Sequence, residues 1–108
     1  MTVKYPTDIE ATVTFTKAKK QPVRSGYRPQ FHYDGMDWVA IHTFPEHEWV
    51  YPGQTVLSHI AFLEPEKHRG KLYAGKQFQL REGRTVVANG AVTKIVELDA
   101  RTSRPLEP

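Results

Sequence analysis

A chain of 108 residues has room for one hydrophobic core and not for two. Its composition, 39% hydrophobic, 25% charged and 11% aromatic, is that of a globular domain and too apolar for a fully disordered one. Cysteine is absent, which excludes disulfides, thiolate metal sites and cysteine nucleophiles; the net charge of +3 is compatible with an RNA partner without demanding one.

The first element reads from Ile9 to Thr16, where odd positions are apolar and even ones polar, the pattern of a half-buried strand. Lys17 to Pro22 breaks it. A second strand runs from Tyr27 to Tyr33, with Pro29 placing it at an edge or a strand start. Asp34-Gly35 is a tight-turn signal. Asp37 to Phe44 alternates again, with Trp38, Ala40 and Phe44 on one face and Val39, Ile41 and Thr43 on the other. Pro45 to Gly53 is a loop. Gln54 to Leu63 is apolar on both faces and reads as a central strand. Glu64 to Gly75 is charged and turn-rich, Lys76 to Arg81 is a fifth strand, and Arg84 to Leu98 a sixth, with Asn89-Gly90 marking a bulge or kink.

Six short strands and no helix predict an all-β closed barrel or sandwich, a barrel having the advantage of hiding the sheet edges. Residues 1–98 form the single barrel domain and 99–108 a flexible C-terminal tail. No apolar run approaches the ~20 residues of a membrane-spanning helix, and Met1 to Glu10 lacks the apolar stretch of a secretory signal. A cytoplasmic protein with no membrane partner is expected.

Chemistry finds little footing. No nucleophile elbow, phosphate-binding loop or His-Glu-x-x-His motif is present: Tyr51 stands where the second histidine after His47-Glu48 should be. His32, His42 and His59 read as partly exposed strand residues with local hydrogen bonds, and as a cluster only if the sheet brings them together. Asp34 with Asp37, and Glu46 with Glu48, sit in turns, where such residues are common. No catalytic residue, metal or cofactor is predicted. Basic residues gather in two groups, Lys17 to Arg28 and Lys67 to Lys76, with Arg81 and Arg84 flanking the Glu82-Gly83 turn. Set on loops at one barrel end, they would grip a phosphate backbone, with Tyr27, Phe31 or Tyr33 adding stacking; their plainer role is a solvated surface. Trp38 reads as core. Trp49 falls in a loop, where it either caps the barrel or anchors a protein contact.

Several segments carry a resemblance. Ser25-Gly26-Tyr27-Arg28-Pro29-Gln30-Phe31-His32-Tyr33 resembles the Gly-Tyr-Arg-Pro-Gln-Phe-Tyr segment of the C-terminal, third domain of bacterial elongation factor Tu. Tyr51-Pro52-Gly53-Gln54 is similar to its Met-Pro-Gly-Asp. The run Phe78 to Val86 resembles its Phe-Ala-Ile-Arg-Glu-Gly-Gly-Arg-Thr-Val less one glycine, and Ala91 to Ile95 its closing strand. The match spans roughly residues 8 to 96.

The resemblance implies a six-stranded antiparallel β-barrel standing alone, without the GTPase domain, so that no nucleotide binding is expected. In the family this barrel contacts an exchange factor and the T-stem of aminoacyl-tRNA. The RNA-contact candidates it implies, together with the basic side chains near them, are Lys19, Lys20, Gln30, Arg81, Glu82, Gly83 and Arg84. The family's Arg-His-Thr-Pro becomes Lys19-Lys20-Gln21-Pro22, and the shorter Asp34 to Trp38 segment drops an arginine and adds acid. Protein-contact candidates are Trp49, Tyr51 and Arg28. The leading expectation is a non-catalytic protein-interaction module, linked to translation or to neutralising a toxin or effector. The alternative is tRNA or structured-RNA binding.

Overall fold

Alternation gives each strand one face that must leave water, and a sheet of such strands is satisfied when it rolls until those faces meet. The structure, a computed structural model, describes residues 4–102. It is a closed antiparallel barrel of β1 (Ile9–Phe15), β2 (Gln30–Tyr33), β3 (Met36–Thr43), β4 (Thr55–Phe62), β5 (Gln77–Glu82) and β6 (Thr85–Ile95), in the order β1, β4, β3, β2, β5, β6. β6 returns to pair with β1, from Ile9 opposite Ile95 to Phe15 opposite Ala88. The six-stranded barrel expected from the strand pattern and the resemblance is the fold.

The face assignments hold. Ile9, Ala11, Val13 and Phe15 point into the core while Thr12 and Thr14 stay wet. Ala40 and Phe44 are buried, and Trp38 packs half-buried against the core. β2 begins later than its predicted start at Tyr27. Pro29 has no amide hydrogen to donate to a ladder, and Tyr27 keeps only an isolated bridge to His42. At the Asp34-Gly35 turn both residues have positive φ, 49° and 77°, the conformation a two-residue hairpin requires.

Phe31 lies at the centre of the barrel, stacked on Phe78 with ring centroids 4.3 Å apart and edge-on to Phe62 at 5.0 Å. This stack explains Gly90. The expected bulge at Asn89-Gly90 is absent: both residues pair regularly with β1 and β5. The register shifts fall elsewhere, between Leu80 and Arg81 against β6 and between Glu10 and Ala11 against β6. Gly90 is needed for space, because a Cβ there would lie 2.3 Å from Phe78 Cζ.

The predicted tail begins with structure. Leu98–Thr102 forms a short helix, α1, with Leu98 buried. It is tied down by Asp8, itself fully buried, whose carboxylate accepts the Phe62 amide at 2.8 Å and Arg101 Nη1 at 3.1 Å. Burial pushes the Asp8 carboxyl above its usual range. The alternation rule had no means of finding this anchor, since its partners come from opposite ends of the chain. The remainder of the predicted tail, 103–108, lies outside the described residues.

Gly90→Ala tests the stack. It is expected to lower stability by about 1–3 kcal/mol through overpacking, read as a lower urea midpoint with an unchanged slope. Asn89→Ala, on the exposed face, is expected to stay within about 0.5 kcal/mol. Equal midpoints for the two variants would contradict the packing account.

Candidate functional site

Antiparallel strands sort the connections into two ends. One end collects the 16–29 segment after β1, the 44–54 loop between β3 and β4, and the Glu82–Thr85 turn between β5 and β6. The other collects the β2–β3 turn, the 63–76 segment and α1. All three protein-contact candidates and most RNA-contact candidates fall at the first end.

There, two loops far apart in sequence are stitched together. Val23 and Val50 exchange backbone hydrogen bonds of 2.9 and 2.8 Å and bury their side chains. The residues beside them, Arg24 and Trp49, consequently meet: the guanidinium carbon sits 5.0 Å from the centroid of the indole ring system. Trp49 remains 40% exposed and Tyr51 53% exposed. Arg28 is also exposed. Trp49 therefore does not seal the core. Lys19 reaches across to Glu82, Nζ to Oε2 3.4 Å, and the Tyr27 hydroxyl donates to the same carboxylate oxygen. Burial, then this carboxylate, pushes the Tyr27 phenol up. Lys19, Arg24, Tyr27 and Trp49 line one cleft of about 410 Å³. Gly83 turns the β5–β6 hairpin at φ 61°, with Arg84 exposed beside it.

Other candidates separate. Lys20 is exposed, its Nζ donating to the Lys17 carbonyl. Gln30 is exposed at the start of β2, opposite Arg81. Arg81 lies half-buried along the strand and donates to Gln79 Oε1 at 2.7 and 3.1 Å, so its guanidinium is already engaged. The two basic groups do not share one end: Lys67, Arg69, Lys71 and Lys76 lie on the 63–76 segment at the opposite end. The stacking role expected of Phe31 and Tyr33 fails because both are buried, and Tyr27 is half-buried with its hydroxyl committed to Glu82.

The histidines occupy separate places. His32 hydrogen-bonds Asp37 at 2.7 Å, the local partnership expected, whereas His59 meets Glu10 at 3.3 Å across the β1–β4 ladder. His42 departs from expectation: it is fully buried inside the barrel, with Nδ1 2.8 Å from Ser58 Oγ and Nε2 unpartnered. His68, which no periodicity marked, is buried too. Its Nδ1 lies 2.7 Å from the Tyr33 hydroxyl, and its ring stacks on Phe62 at 3.9 Å. Burial pushes His42 down to about 3 and His68 down to about 4. Of the carboxylate pairs, Asp34 binds Lys76 at 2.7 Å, Asp37 binds His32, and Glu46 and Glu48 are exposed on the 44–54 loop. Among the described residues no three His, Asp or Glu side chains are grouped to hold a metal ion.

A family model described as the elongation factor Tu C-terminal domain matches residues 2–96, nearly the whole of the 108-residue chain.

The two buried histidines predict an acid-sensitive barrel. Both are neutral when folded and titrate near pH 6.5 when unfolded, so below pH 6.5 the unfolded chain binds protons the folded one refuses. Stability is full above pH 6.5 and falls towards pH 4 by about 1.4 kcal/mol per pH unit for each histidine. The raised Asp8 carboxyl offsets part of the loss at the acid end. Urea midpoints from pH 7 to pH 5 read this out, and the double variant His42→Leu/Ser58→Ala is expected to halve the slope. A flat profile would contradict the assignment.

Proposed function

The chain belongs to the elongation factor Tu C-terminal domain family, and from that premise we propose that it is a non-catalytic interaction barrel, working in the cytoplasm in a translation-related role. Its docking surface is the end that carries Trp49. The family domain is a non-catalytic β-barrel, and His32, Asp34, Asp37 and His59 are engaged in pairs while His42 and His68 are buried in core packing. One observation carries the reading: Trp49, Tyr51, Arg24 and Arg28 are exposed together on loops held by the Val23–Val50 bridge. Trp, Tyr and Arg are the residue types that dominate binding energy at protein interfaces, and rigid presentation lowers the entropy lost on docking. A protein partner is therefore the primary reading.

A second reading, tRNA or another structured RNA, is favoured by the charge of the same end. Lys17, Lys20, Arg24, Arg28 and Arg84 make no salt bridge among the described residues. Against it stand Arg81, held by Gln79, the Glu82 carboxylate bound to Lys19 and Tyr27, and the buried Phe31 and Tyr33.

Capture of partners on immobilised protein, followed by identification and binding of the purified partner, separates these readings. Trp49→Ala and Tyr51→Ala are each expected to weaken the purified partner's binding by tenfold or more while leaving the melting temperature unchanged. Binding that tolerates both substitutions would overturn the placement of the surface. Retention of tRNA on filters at low salt, falling steeply as salt rises, would install the RNA reading instead.

A further inference from the structure

The cleft between the 22–27 segment and Trp49 has a chemistry more specific than a general docking surface. Two of its walls already show what it accepts. Lys19 and Tyr27 hold the Glu82 carboxylate between an ammonium and a phenol hydroxyl. Across from them the Arg24 guanidinium carbon lies 5.0 Å from the centroid of the Trp49 ring, and no carboxylate lies within salt-bridge distance of it among the described residues. A guanidinium over an indole keeps its N–H fork free for a planar carboxylate, which it binds bidentately.

We infer that this cleft seats an acidic side chain, Asp or Glu, of an extended segment of the protein partner, with Arg24 taking the carboxylate and Trp49 backing it. The inference rests on the reading of this end as a protein-docking surface and names the partner's chemistry there. A single carboxylate fits better than a nucleic acid for two reasons. Arg24 covers part of the indole on which a base would stack. Glu82, with its side chain 43% exposed, repels a run of phosphates, each carrying a charge, more than it repels one carboxylate.

The test uses the intact ¹⁵N-labelled chain and an octapeptide of alternating Glu and Gly, with alternating Gln and Gly as control. The Glu peptide is expected to shift the Trp49 indole N–H and the Arg24, Ser25 and Gly26 amides. The Trp38 indole, at the other end of the barrel, serves as the unshifted reference. Arg24→Gln is expected to weaken this binding at least tenfold, Arg24→Lys to restore part of it, and raising salt to about 0.15 M to weaken all three. Because Arg24 is exposed, unchanged reference shifts report that the variants are folded.

Absence of shifts with the Glu peptide, equal shifts with the Gln peptide, or shifts that survive Arg24→Gln would each overturn the inference. So would shifts at the same residues produced by tRNA alone. If the peptide fails while Trp49→Ala still abolishes binding of the purified partner, the acidic-segment inference falls and the docking surface stands. If the peptide binds as described while the partner ignores Trp49→Ala and Tyr51→Ala, the carboxylate site stands and the docking surface falls.

Discussion

The pairing of the first strand with the last is the contact on which the remainder of this molecule depends. β1 meets β6 along its whole length, from Ile9 opposite Ile95 to Phe15 opposite Ala88, and that seam converts a six-stranded sheet into a barrel. Open, the sheet would leave two rows of unpaired amides and carbonyls and expose the apolar faces of Val13 and Phe15. Closed, it satisfies both and encloses the Phe31–Phe78–Phe62 stack. Gly90 is the point at which the seam and the stack compete for the same volume, which is why the residue there has no side chain.

The same seam builds the end that carries Trp49. Beyond Phe15 the chain continues along β6: the Thr16 amide donates to the Val87 carbonyl at 2.9 Å, and its hydroxyl donates to the Val86 carbonyl at 3.0 Å. That grip carries Lys19 to Glu82, and Glu82 in turn receives Tyr27. At the opposite end the seam extends through Glu97 and Thr7, and Asp8 fastens α1 through Arg101. One end is thus spent on anchoring the chain and is mixed in charge. The other carries Lys17, Lys19, Lys20, Arg24, Arg28 and Arg84 against Glu46, Glu48 and Glu82, and leaves Trp49 and Tyr51 exposed. The division of labour follows from topology, since the direction of each strand decides which loop emerges where.

Local pattern revealed most of the fold. The alternation of Ile9 to Phe15 marked a strand and its inner face, Asp34-Gly35 marked a hairpin, and the Tyr27-Arg28-Pro29-Gln30 and Arg81-Glu82-Gly83-Arg84 segments marked the family. Features made by distant residues were not legible. Arg24 gives no hint that it will lie on Trp49, because the Val23–Val50 bridge that joins them is a tertiary event. Asp8 and Arg101 are 93 positions apart. His68 lies in a polar, turn-rich stretch that reads as solvated, yet the segment folds back to cap the core and the ring is buried on Phe62. Gly90 looked like a bulge because a strand glycine usually signals irregular backbone; here it signals a ring pressed against it. Trp49, Tyr51, Arg28, Lys19, Lys20 and Arg84 emerge on loops at one end, while Gln30 and Arg81 lie along strands. Which of them remain free to bind was decided by partners such as Gln79 and Glu82, which no single stretch of sequence discloses.

Residue-by-residue amide hydrogen exchange in the native state tests most directly whether the exposed end is part of the closed barrel. If the seam organises that end, the Thr16, Val23 and Val50 amides exchange only through global unfolding, with the same free energy as core amides of β1 and β6. Rapid exchange of those three amides, while the β1–β6 ladder stays protected, would show that the loops are independent of the seam and would contradict the account.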